Sequence, residues 1–455
     1  MKNKSLLREF MKYSSLNVLG MIGLSCYILA DTFFVSKGLG ANGLTALNLA
    51  IPIYSFIHGC GQMFGMGGAI KYTIFKSQDH QKRANKVFSS TVCVTLFTGF
   101  LFVLLGLFFS ETITTLLGAD DKVADMTNTY LKVVLLFAPA FMMNDAMLNF
   151  VRNDGNPRLA MFAMLGGSLS NIVLDYIFIF PMKMGIFGAV FATGLAPVIS
   201  LTVLSFHRFS KKKSLHFTKS KIAFHTIKET MSLGFSSLIT ELASGIVIIM
   251  FNMIILRLAG NVGVAAYGVI ANLSLVIVAI YTGIAQGSQP LFSRAYGNSD
   301  LHSIRRILRY ALMTMTILSA FIYAILFVCN TPITSIFNNE GNAQLQIISE
   351  TGMRIYFTAI IFVGFNIILS AYFTSTEHPF PAQIISLARG FVLIIPIAIL
   401  FANLFGIIGV WLSFPVTECL VSIAGLLMKH FDHKKNLYHT ESNDQGKTDE
   451  VTNNI

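Results

Sequence analysis

Long apolar stretches separated by short polar segments dominate the chain. A helix that crosses a bilayer needs about twenty largely apolar residues, and the sequence offers roughly twelve such stretches. In the first half they cover residues 14–36, 44–75, 88–109, 126–151, 158–181 and 186–209. In the second half they cover residues 232–258, 263–290, 306–330, 351–375, 381–404 and 408–429. The pattern predicts an all-α membrane protein with twelve transmembrane helices.

Basic residues collect in alternate connections between these stretches. One set of connections is rich in lysine and arginine: Lys71, Lys76, Lys82, Arg83 and Lys86, then Arg152 and Arg158, then the central segment, then Arg294, Arg305, Arg306 and Arg309. The other set holds only scattered cations such as Lys37, Lys122 and Lys183. The positive-inside rule places the basic set in the cytoplasm. We therefore expect a multi-pass protein of the plasma (inner) membrane with both termini cytoplasmic.

The most charged run, HRFSKKKSLHFTKSKIAFHTIK, lies near the midpoint of the chain at residues 207–228. A basic patch that binds nucleic acid or lipid head groups is one interpretation. Because apolar stretches flank the run on both sides, a cytoplasmic loop is favoured and no nucleic-acid partner is expected. The predicted organisation is an N-lobe of spans one to six at 1–209, a basic linker at 210–231, a C-lobe of spans seven to twelve at 232–430 and a disordered polar tail at 431–455.

Composition agrees with a membrane protein. The 455 residues are 54% hydrophobic and only 12% charged, with a mean hydropathy of +0.66, which excludes an ordinary water-soluble globule. The net charge of +11 then reflects basic residues between the spans, which set the orientation of the protein in the membrane. The five cysteines are scattered through apolar runs without CxxC spacing or clustered histidines, so neither a disulfide framework nor a zinc site is predicted. No cofactor is expected.

The two halves share marks at a spacing of about 220 residues, too regular for periodic hydrophobicity alone. These pairs are Gly43 and Gly263, Gly67 and Gly287, Asn144 and Asn366, Pro157 and Pro379, and GIFG at 185–188 with GIIG at 406–409. Six spans per copy is an even number, so both copies enter the membrane from the same side. The repeat predicts two pseudo-symmetric six-helix bundles in a parallel repeat around a central cleft, where transporters bind substrate.

Acidic residues inside apolar spans are the strongest functional signal, because a carboxylate there costs about 2.5 to 3.5 kcal/mol on insertion scales. Asp31 lies in the first span; Asp175 follows Asn171 by four residues in the fifth span and shares its helix face; Glu241 lies in the seventh. We expect these residues to bind a coupling ion or a cationic substrate. The alternatives are an interfacial acid for Asp31 and an interhelical hydrogen bond for Asp175.

Other polar residues have structural or secondary candidate roles. Glu418 of the last span is expected to pair with Arg389 of the preceding span rather than to contact substrate. Asn144 and Asp145 lie near the cytoplasmic end of the fourth span, where Asp145 is either a gate contact or solvated.

Gln286 belongs to a run with Gln289, Gly287 and Pro290 that predicts a loosened inner end of the eighth span. Proline within a span removes a backbone hydrogen bond, so bends are also expected at Pro52, Pro139, Pro396 and Pro415.

Four segments, taken in order, resemble the multidrug and toxic compound extrusion (MATE) family over about residues 10 to 430. They are DTFFVSKGLGANGLTALNLAIP from the first span into the second, NDGNPRLAM after the fourth, NIVLDYIFIF in the fifth and VGVAAYGVIANL in the eighth. The resemblance implies a two-lobed antiporter, working as a monomer, that exports hydrophobic cationic or amphipathic compounds in exchange for protons or sodium ions.

By matching position, the resemblance implies that Asp31, Asn171 and Asp175 form the N-lobe cation site, which would be a sodium site if sodium is the coupling ion. Glu241 resembles the seventh-span acid of members with a C-lobe ion site. One departure is that many members carry a proline about fifteen residues before the first-span aspartate, where this chain has Leu16 followed by Asn17. A proline-based bend of the first span is therefore in doubt, although Gly20 and Gly23 permit bending.

Two rival functions are considered. A lipid or polysaccharide flippase of related architecture would need a cleft lined with basic residues, whereas the intramembrane inventory is mainly acidic with Arg389 as the exception. A non-transporting membrane scaffold would have no use for costly acids in both halves. An enzyme is not predicted, since no nucleophile with a base and no metal cluster is visible.

Overall fold

The protein is described by a computed structural model that covers residues 2–210, 213–218, 224–338 and 341–452. Throughout these ranges the regular structure is helical. The helices of the first half are α1 Lys2–Ser77, α2 Gln81–Phe108, α3 Ser110–Leu116, α4 Ala124–Leu136, α5 Ala138–Asn153, α6 Pro157–Ile179 and α7 Gly185–Ser205. Those of the second half are α8 Phe224–Gly297, α9 Leu301–Val328, α10 Asn330–Phe337, α11 Ala343–Tyr356, α12 Ile360–Ser375, α13 Pro379–Leu387 and α14 Ile394–Thr452.

The three longest helices each contain a break at one glycine with positive φ. Gly40 interrupts α1 at φ 68°, Gly260 interrupts α8 at φ 61° and Gly406 interrupts α14 at φ 60°. Residues with a side chain rarely adopt this conformation, so glycine allows the chain to turn without a loop. Each long helix is therefore a pair of helices joined at a sharp corner.

The predicted fourth span, residues 126–151, is also divided. Helices α4 and α5 meet at a 48° bend around Phe137, and Pro139 stands in the first turn of α5. Proline lacks the N–H that would continue the hydrogen-bond ladder of α4. The bend expected at Pro139 is thus present.

The apolar helices are long enough to make this a multi-pass membrane protein. Among the described residues, eight helices pass a length and hydropathy test for spanning a bilayer, or nine if the bent pair of α4 and α5 counts as one. Since α1, α8 and α14 each hold two segments, the predicted total of twelve remains compatible with this count and stays a prediction.

Corresponding elements recur along the backbone of the two halves. Helix α2 spans Gln81–Phe108 and α9 spans Leu301–Val328, exactly 220 residues later. Gly40 and Gly260 share a positive φ at the same spacing, and Gly185 and Gly406 share one at a spacing of 221. The sequence repeat is therefore accompanied by repeated helix bounds and repeated corners.

Two boundaries differ from the sequence-based expectation. Helix α8 begins at Phe224, inside the expected linker of 210–231, and the backbone of α14 continues to Thr452, whereas we expected no regular structure from residue 431. Extending an existing helix needs no new nucleation step, and the lysine, glutamate and glutamine residues there are good helix formers.

Each half has its own apolar core, and each core also contains residues from the other half. Phe10 and Tyr13, near the start of α1, pack in the core of the second half beside Tyr281 and Phe292. Leu238 of α8 packs in the core of the first half. The N-terminal parts of α1 and α8 thus pack across the boundary between the halves.

One buried carboxylate makes several of the contacts between the linker and the first half. Asp154, in the loop after α5, accepts hydrogen bonds from the Tyr72 hydroxyl at 2.7 Å, from His207 Nε2 at 2.8 Å and from the Ser214 N–H at 2.8 Å. Lys76 and the Ser214 hydroxyl are further donors to Oδ1. We call this side of the molecule the linker end.

These contacts determine the charge of Asp154. Burial by itself raises the pKa of the carboxyl, but the hydrogen bonds from His207, Lys76 and Ser214 outweigh burial and lower the pKa below its usual range. A lowered pKa stabilises docking above the ordinary carboxyl pKa, and that contribution is lost only as pH falls through the depressed value. The linker therefore stays docked from neutral to mildly acidic pH.

Replacing Asp154 by asparagine is expected to release the linker, because hydrogen bonds to a charged group contribute about 1.5 to 3 kcal/mol each. Trypsin cleavage after Lys213 in membranes should accelerate at least about tenfold, equally at pH 5.5 and pH 7.5. The exposed Asp79→Asn is the matched control. Cleavage of D154N at the wild-type rate would contradict the anchoring role of Asp154.

Candidate functional site

Three of the four predicted ion-site residues come together inside the first half. Asp31 of α1 and Asp175 of α6 are both buried, at 8% and 0% exposure, and their carboxyl groups lie within hydrogen-bonding reach of each other. With its amide nitrogen turned toward the acid, Asn171 donates to Asp175 Oδ2 at 3.0 Å and accepts from the Thr193 N–H at 3.2 Å. We call Asp31, Asn171 and Asp175 the N-half acid pair site.

Two glycines of α1 make room for this meeting. A Cβ added to Gly20 would lie 2.8 Å from Met164 Sδ, and one added to Gly23 would lie 2.6 Å from a Leu165 methyl group, so α6 packs directly on α1 there. Asn171 and Asp175 lie about two and three turns further along α6 on the same face. Before Gly40 no residue of α1 leaves the helical conformation, and these glycines serve packing in this structure.

The acid pair is not neutralised by a basic side chain. In the described part of the chain no lysine, arginine or histidine forms an ion pair with Asp31 or Asp175. One oxygen of each, Oδ1 of Asp31 and Oδ1 of Asp175, is buried without a hydrogen-bond partner. Two carboxylates in contact in a low-dielectric interior repel strongly. The site therefore requires a proton or another cation between them.

Glu241 is separate from this site. It lies on α8, half-buried, beside α1 at Gly59, where an added Cβ would be 3.4 Å from the Glu241 Cβ. Its electrostatic neighbours are His58 and Asp145, not Asp31 or Asp175. The resemblance associated Glu241 with a C-lobe site, and in the structure Glu241 lies apart from the N-half acid pair site.

Arg389 and Glu418 form the expected ion pair. The Arg389 Nε and one terminal nitrogen donate to Glu418 Oε1 at 3.1 and 2.9 Å, and the Asn366 amide donates to Oε2 at 2.7 Å. Arg389 lies in a π-helical turn over Ala388–Val392, which widens the helix locally between α13 and α14. Both oxygens of Glu418 are thereby occupied, in contrast to the acid pair in the first half.

At the linker end a buried arginine connects the halves. Arg152 of α5, 2% exposed, donates to Asn17 Oδ1 of α1 at 2.7 Å, to Gln286 Oε1 of α8 at 2.6 Å and to Asn149 Oδ1 at 2.6 Å. The three acceptors are neutral amides, and the Asn149 amide in turn donates to the Asp145 backbone carbonyl at 2.9 Å. Asn144 leaves its Oδ1 buried without a partner.

The loosened inner end expected around Gln286 is wrong. Helix α8 continues through Gly287 and Pro290 to Gly297, and a Cβ at Gly287 would lie 2.7 Å from the Ser14 Cα of α1. A Cβ at Gly234 would overlap the carbonyl oxygen of Met63. The small residues that suggested looseness instead allow backbones of opposite halves to touch.

Charged contacts reinforce this closure. Lys71 of α1 binds Glu377 of the second half at 2.5 Å and Glu229 of α8 at 3.4 Å, and Arg294 of α8 binds Glu9 of α1 at 2.6 Å. The halves are therefore held together at the linker end by ion pairs, amide bonds and close backbone packing.

Comparison with known proteins identifies the family. The MatE family model matches residues 18–177 and 236–400, one block in each half. The chain belongs to the MatE (MATE) family. The multidrug export protein MepA of Staphylococcus saprophyticus is 24% identical over 429 residues, covering 94% of both chains.

Solved structures show the same fold. A multidrug resistance MATE family transporter of the MOP superfamily, described in an outward-facing conformation, superposes with a TM-score of 0.88 at 22% identity, covering 95% of this chain and 98% of that one. A MOP superfamily transporter from Pyrococcus furiosus, described as having a binding pocket of reverse polarity that suggests a different function, superposes at 0.85 with 22% identity and covers 93% and 95%.

Sequence analysis missed two polar residues of this MATE protein. His58 lies in the apolar run IPIYSFIHGC and hydrogen-bonds Asp145; Arg152 was assigned only to a basic connection. A histidine inside an apolar span was a signal that we did not use. For Arg152 the sequence offered none, because its partners Asn17 and Gln286 lie more than 130 residues away.

Replacing Arg152 by glutamine is expected to open the linker end, because it removes charged hydrogen bonds to both halves worth about 1.5 to 3 kcal/mol each. Spin labels on Lys82→Cys of α2 and His302→Cys of α9, in a background without the native cysteines, report the separation by double electron–electron resonance. The longer-distance population should rise at least about tenfold.

The control for this experiment is Arg158→Gln, an exposed arginine at the start of α6. R158Q should give the wild-type distance distribution. If R152Q also does, the amide cage around Arg152 does not hold the halves together.

Proposed function

We propose that this MATE protein is a secondary antiporter that exports cationic or amphipathic drugs in exchange for protons or sodium ions. The observation that carries the proposal is the Asp31 and Asp175 pair: two buried carboxyl groups in reach of each other, with no basic partner among the described residues and one free oxygen each. Keeping such a pair inside a membrane bundle is costly, and its use is to bind and release a positive charge.

The arrangement proposed for the membrane is twelve spans in two six-helix bundles related by a parallel repeat, around a central cleft. Support comes from the paired positions of α2 and α9 and from the matching glycine corners. The linker end is assigned to the cytoplasm, with both termini, because it collects the basic residues. Closure at that end then corresponds to an outward-facing conformation.

Coupling follows from competition for the same negative charge. An ion that occupies the acid pair removes the attraction that the N-half exerts on a cationic drug, so ion and drug affinities oppose each other by a coupling free energy. Rocking of the halves about the central cleft exposes the cleft to each side in turn. Breaking the Arg152, Lys71 and Arg294 contacts is the structural cost of opening inward.

A proton fits the acid pair site better than a sodium ion does. The Asn171 oxygen accepts from the Thr193 N–H and its nitrogen faces Asp175, so the free ligands are one oxygen on each aspartate. One proton satisfies two such oxygens through a single hydrogen bond. Sodium would use Asp31, Asn171 and Asp175 as ligands only after the Asn171 amide turned over.

The flippase alternative is disfavoured by charge. Fold similarity alone does not separate the functions, since the Pyrococcus furiosus transporter described as having reverse polarity superposes nearly as well. In this chain Arg389 is paired with Glu418, whereas Asp31, Asp175 and Glu241 lack basic ion-pair partners within the described residues. An anionic lipid head group would be repelled by that inventory. The expected partners are small hydrophobic cations and the surrounding lipid, with a monomer that performs no enzymatic reaction.

Asp31→Asn and Asp175→Asn should each abolish drug resistance in a sensitised host and lower the tolerated drug concentration at least about tenfold. The reason is that an asparagine amide carries no negative charge and does not bind and release the coupling ion. Membrane levels should remain at wild type. Asp125→Asn, an exposed acid at the start of α4, is the control and should leave resistance unchanged. Full resistance in both D31N and D175N would remove the acid pair from the mechanism.

The coupling ion is identified by efflux of a fluorescent cation from proteoliposomes under separately imposed proton and sodium gradients. We expect the proton gradient to drive transport and the sodium gradient alone to fail. Movement under neither gradient would overturn coupled antiport, and movement under sodium alone would reverse the assignment made from the Asn171 orientation.

A further inference from the structure

A second polar cluster lies between the halves, away from the acid pair. His58, on the second segment of α1, and Asp145 of α5 are joined by a hydrogen bond of 2.9 Å between Nδ1 and Oδ2. The His58 ring lies 4.5 Å from the Tyr54 ring and 5.2 Å from the Phe141 ring, measured between centroids. The imidazole thus hydrogen-bonds a carboxylate on one edge and packs at a tilt against two aromatic rings that also contact each other.

This pair faces the other half of the molecule. The next residue, Gly59, packs against Leu238 and Glu241 of α8, where an added Cβ would lie 2.7 and 3.4 Å from their atoms. Glu241 interacts electrostatically with both His58 and Asp145. The cluster therefore combines residues from both halves, and any separation of the halves changes it.

The second nitrogen of the imidazole is free. His58 Nε2 is buried and has no hydrogen-bond partner, although the side chain as a whole keeps 21% exposure. When neutral, the ring donates its one proton from Nδ1 to Asp145 and presents a lone pair at Nε2. A proton arriving at Nε2 converts the ring to a cation without disturbing the bond to Asp145.

Protonation changes the charge of the cluster by one. Protonation of His58 adds one positive charge beside the Asp145 and Glu241 carboxyl groups. Carboxyl groups beside aromatic rings attract a flat organic cation, and a positively charged imidazole among them opposes that attraction. Proton and organic cation therefore compete here as well.

We propose that His58 and Asp145, with Glu241 facing them, form a second proton-coupled site, and that its organic ligand is a monovalent aromatic cation. The inference rests on the proposed function and deepens it. The titratable groups facing His58 are Asp145 from α5, Glu241 from α8 and Tyr54 on its own helix. The Tyr54 hydroxyl in turn bonds the Tyr27 hydroxyl at 2.9 Å, and Tyr27 is near Asp31 and Asp175.

The two sites have distinct roles in this scheme. The acid pair is enclosed in the first half, whereas the His58 site lies at the boundary of the halves and is assembled from both. The tyrosine pair places hydroxyl groups between them. Drug arriving at the boundary displaces the His58 proton, and return of a proton to His58 weakens the hold on the drug.

The test uses the purified full-length protein in detergent and ethidium, a fluorescent monovalent aromatic cation. Binding is followed by fluorescence anisotropy between pH 5.5 and pH 8.5. In the wild type, affinity should fall about tenfold as the pH is lowered from 8.5 to 5.5, because His58 gains a proton. Ethidium added to weakly buffered protein at pH 6 should release a proton.

His58→Gln keeps a donor toward Asp145 but does not take up a proton. H58Q should bind ethidium with nearly constant affinity across this pH range and release correspondingly fewer protons. Exposed His80→Gln is the matched control and should behave as wild type. Asp145→Asn should lower ethidium affinity about tenfold at pH 8.5, where His58 is neutral and the lost charge is fully felt.

Three results would overturn the inference: pH-independent ethidium binding by the wild type, wild-type pH dependence in H58Q, or unchanged affinity in D145N. The wild-type measurement decides even if a variant does not fold. Failure here is distinct from failure of the proposed function, because ethidium efflux driven by a gradient in wild-type vesicles tests antiport independently. If the wild-type protein transports ethidium but H58Q keeps the wild-type pH profile of binding, only the inference of a second site is overturned.

Discussion

The repulsion between two carboxyl groups enclosed in the first half is the constraint on which the rest of the molecule depends. Asp31 and Asp175 are held close by the packing of α6 on the glycines of α1, and each keeps an oxygen without a partner. In water such a pair would separate or be screened; inside the bundle neither is possible. The fold thus requires positive charge at this site, and the proposed antiport uses its binding and release.

In the second half, the buried acid Glu418 has hydrogen-bond partners on both of its oxygens. Glu418 is fully engaged by Arg389 and Asn366, at a π-helical turn that adapts the helix to the contact. The helix positions repeat between the two halves, whereas the buried charged residues and their partners differ. The first half thus holds an acid pair without a basic partner among the described residues, whereas Glu418 of the second half is already paired with a cation.

Communication between the halves takes place where they touch. At the linker end, glycines on α1 and α8 bring opposite backbones together, and Arg152 adds hydrogen bonds that are satisfied only while the halves are closed. Halfway along, His58 and Glu241 meet across the same boundary. Polar groups that change partners when the halves move are placed along this line, so charge and conformation are linked by geometry.

The amino-acid sequence by itself determined the class of protein, the positions of most apolar helices, the bend at Pro139, the 220-residue repeat and the acids that belong in no lipid environment. These follow from local rules: twenty apolar residues span a bilayer, proline interrupts a hydrogen-bond ladder, and buried charge is costly. Only the tertiary structure decided that Glu241 lies beside His58 and Asp145, that Gln286 is packed in the contact between the halves, and that Arg152 joins them. Those contacts join helices that are far apart in the chain, and local patterns in the sequence do not specify them.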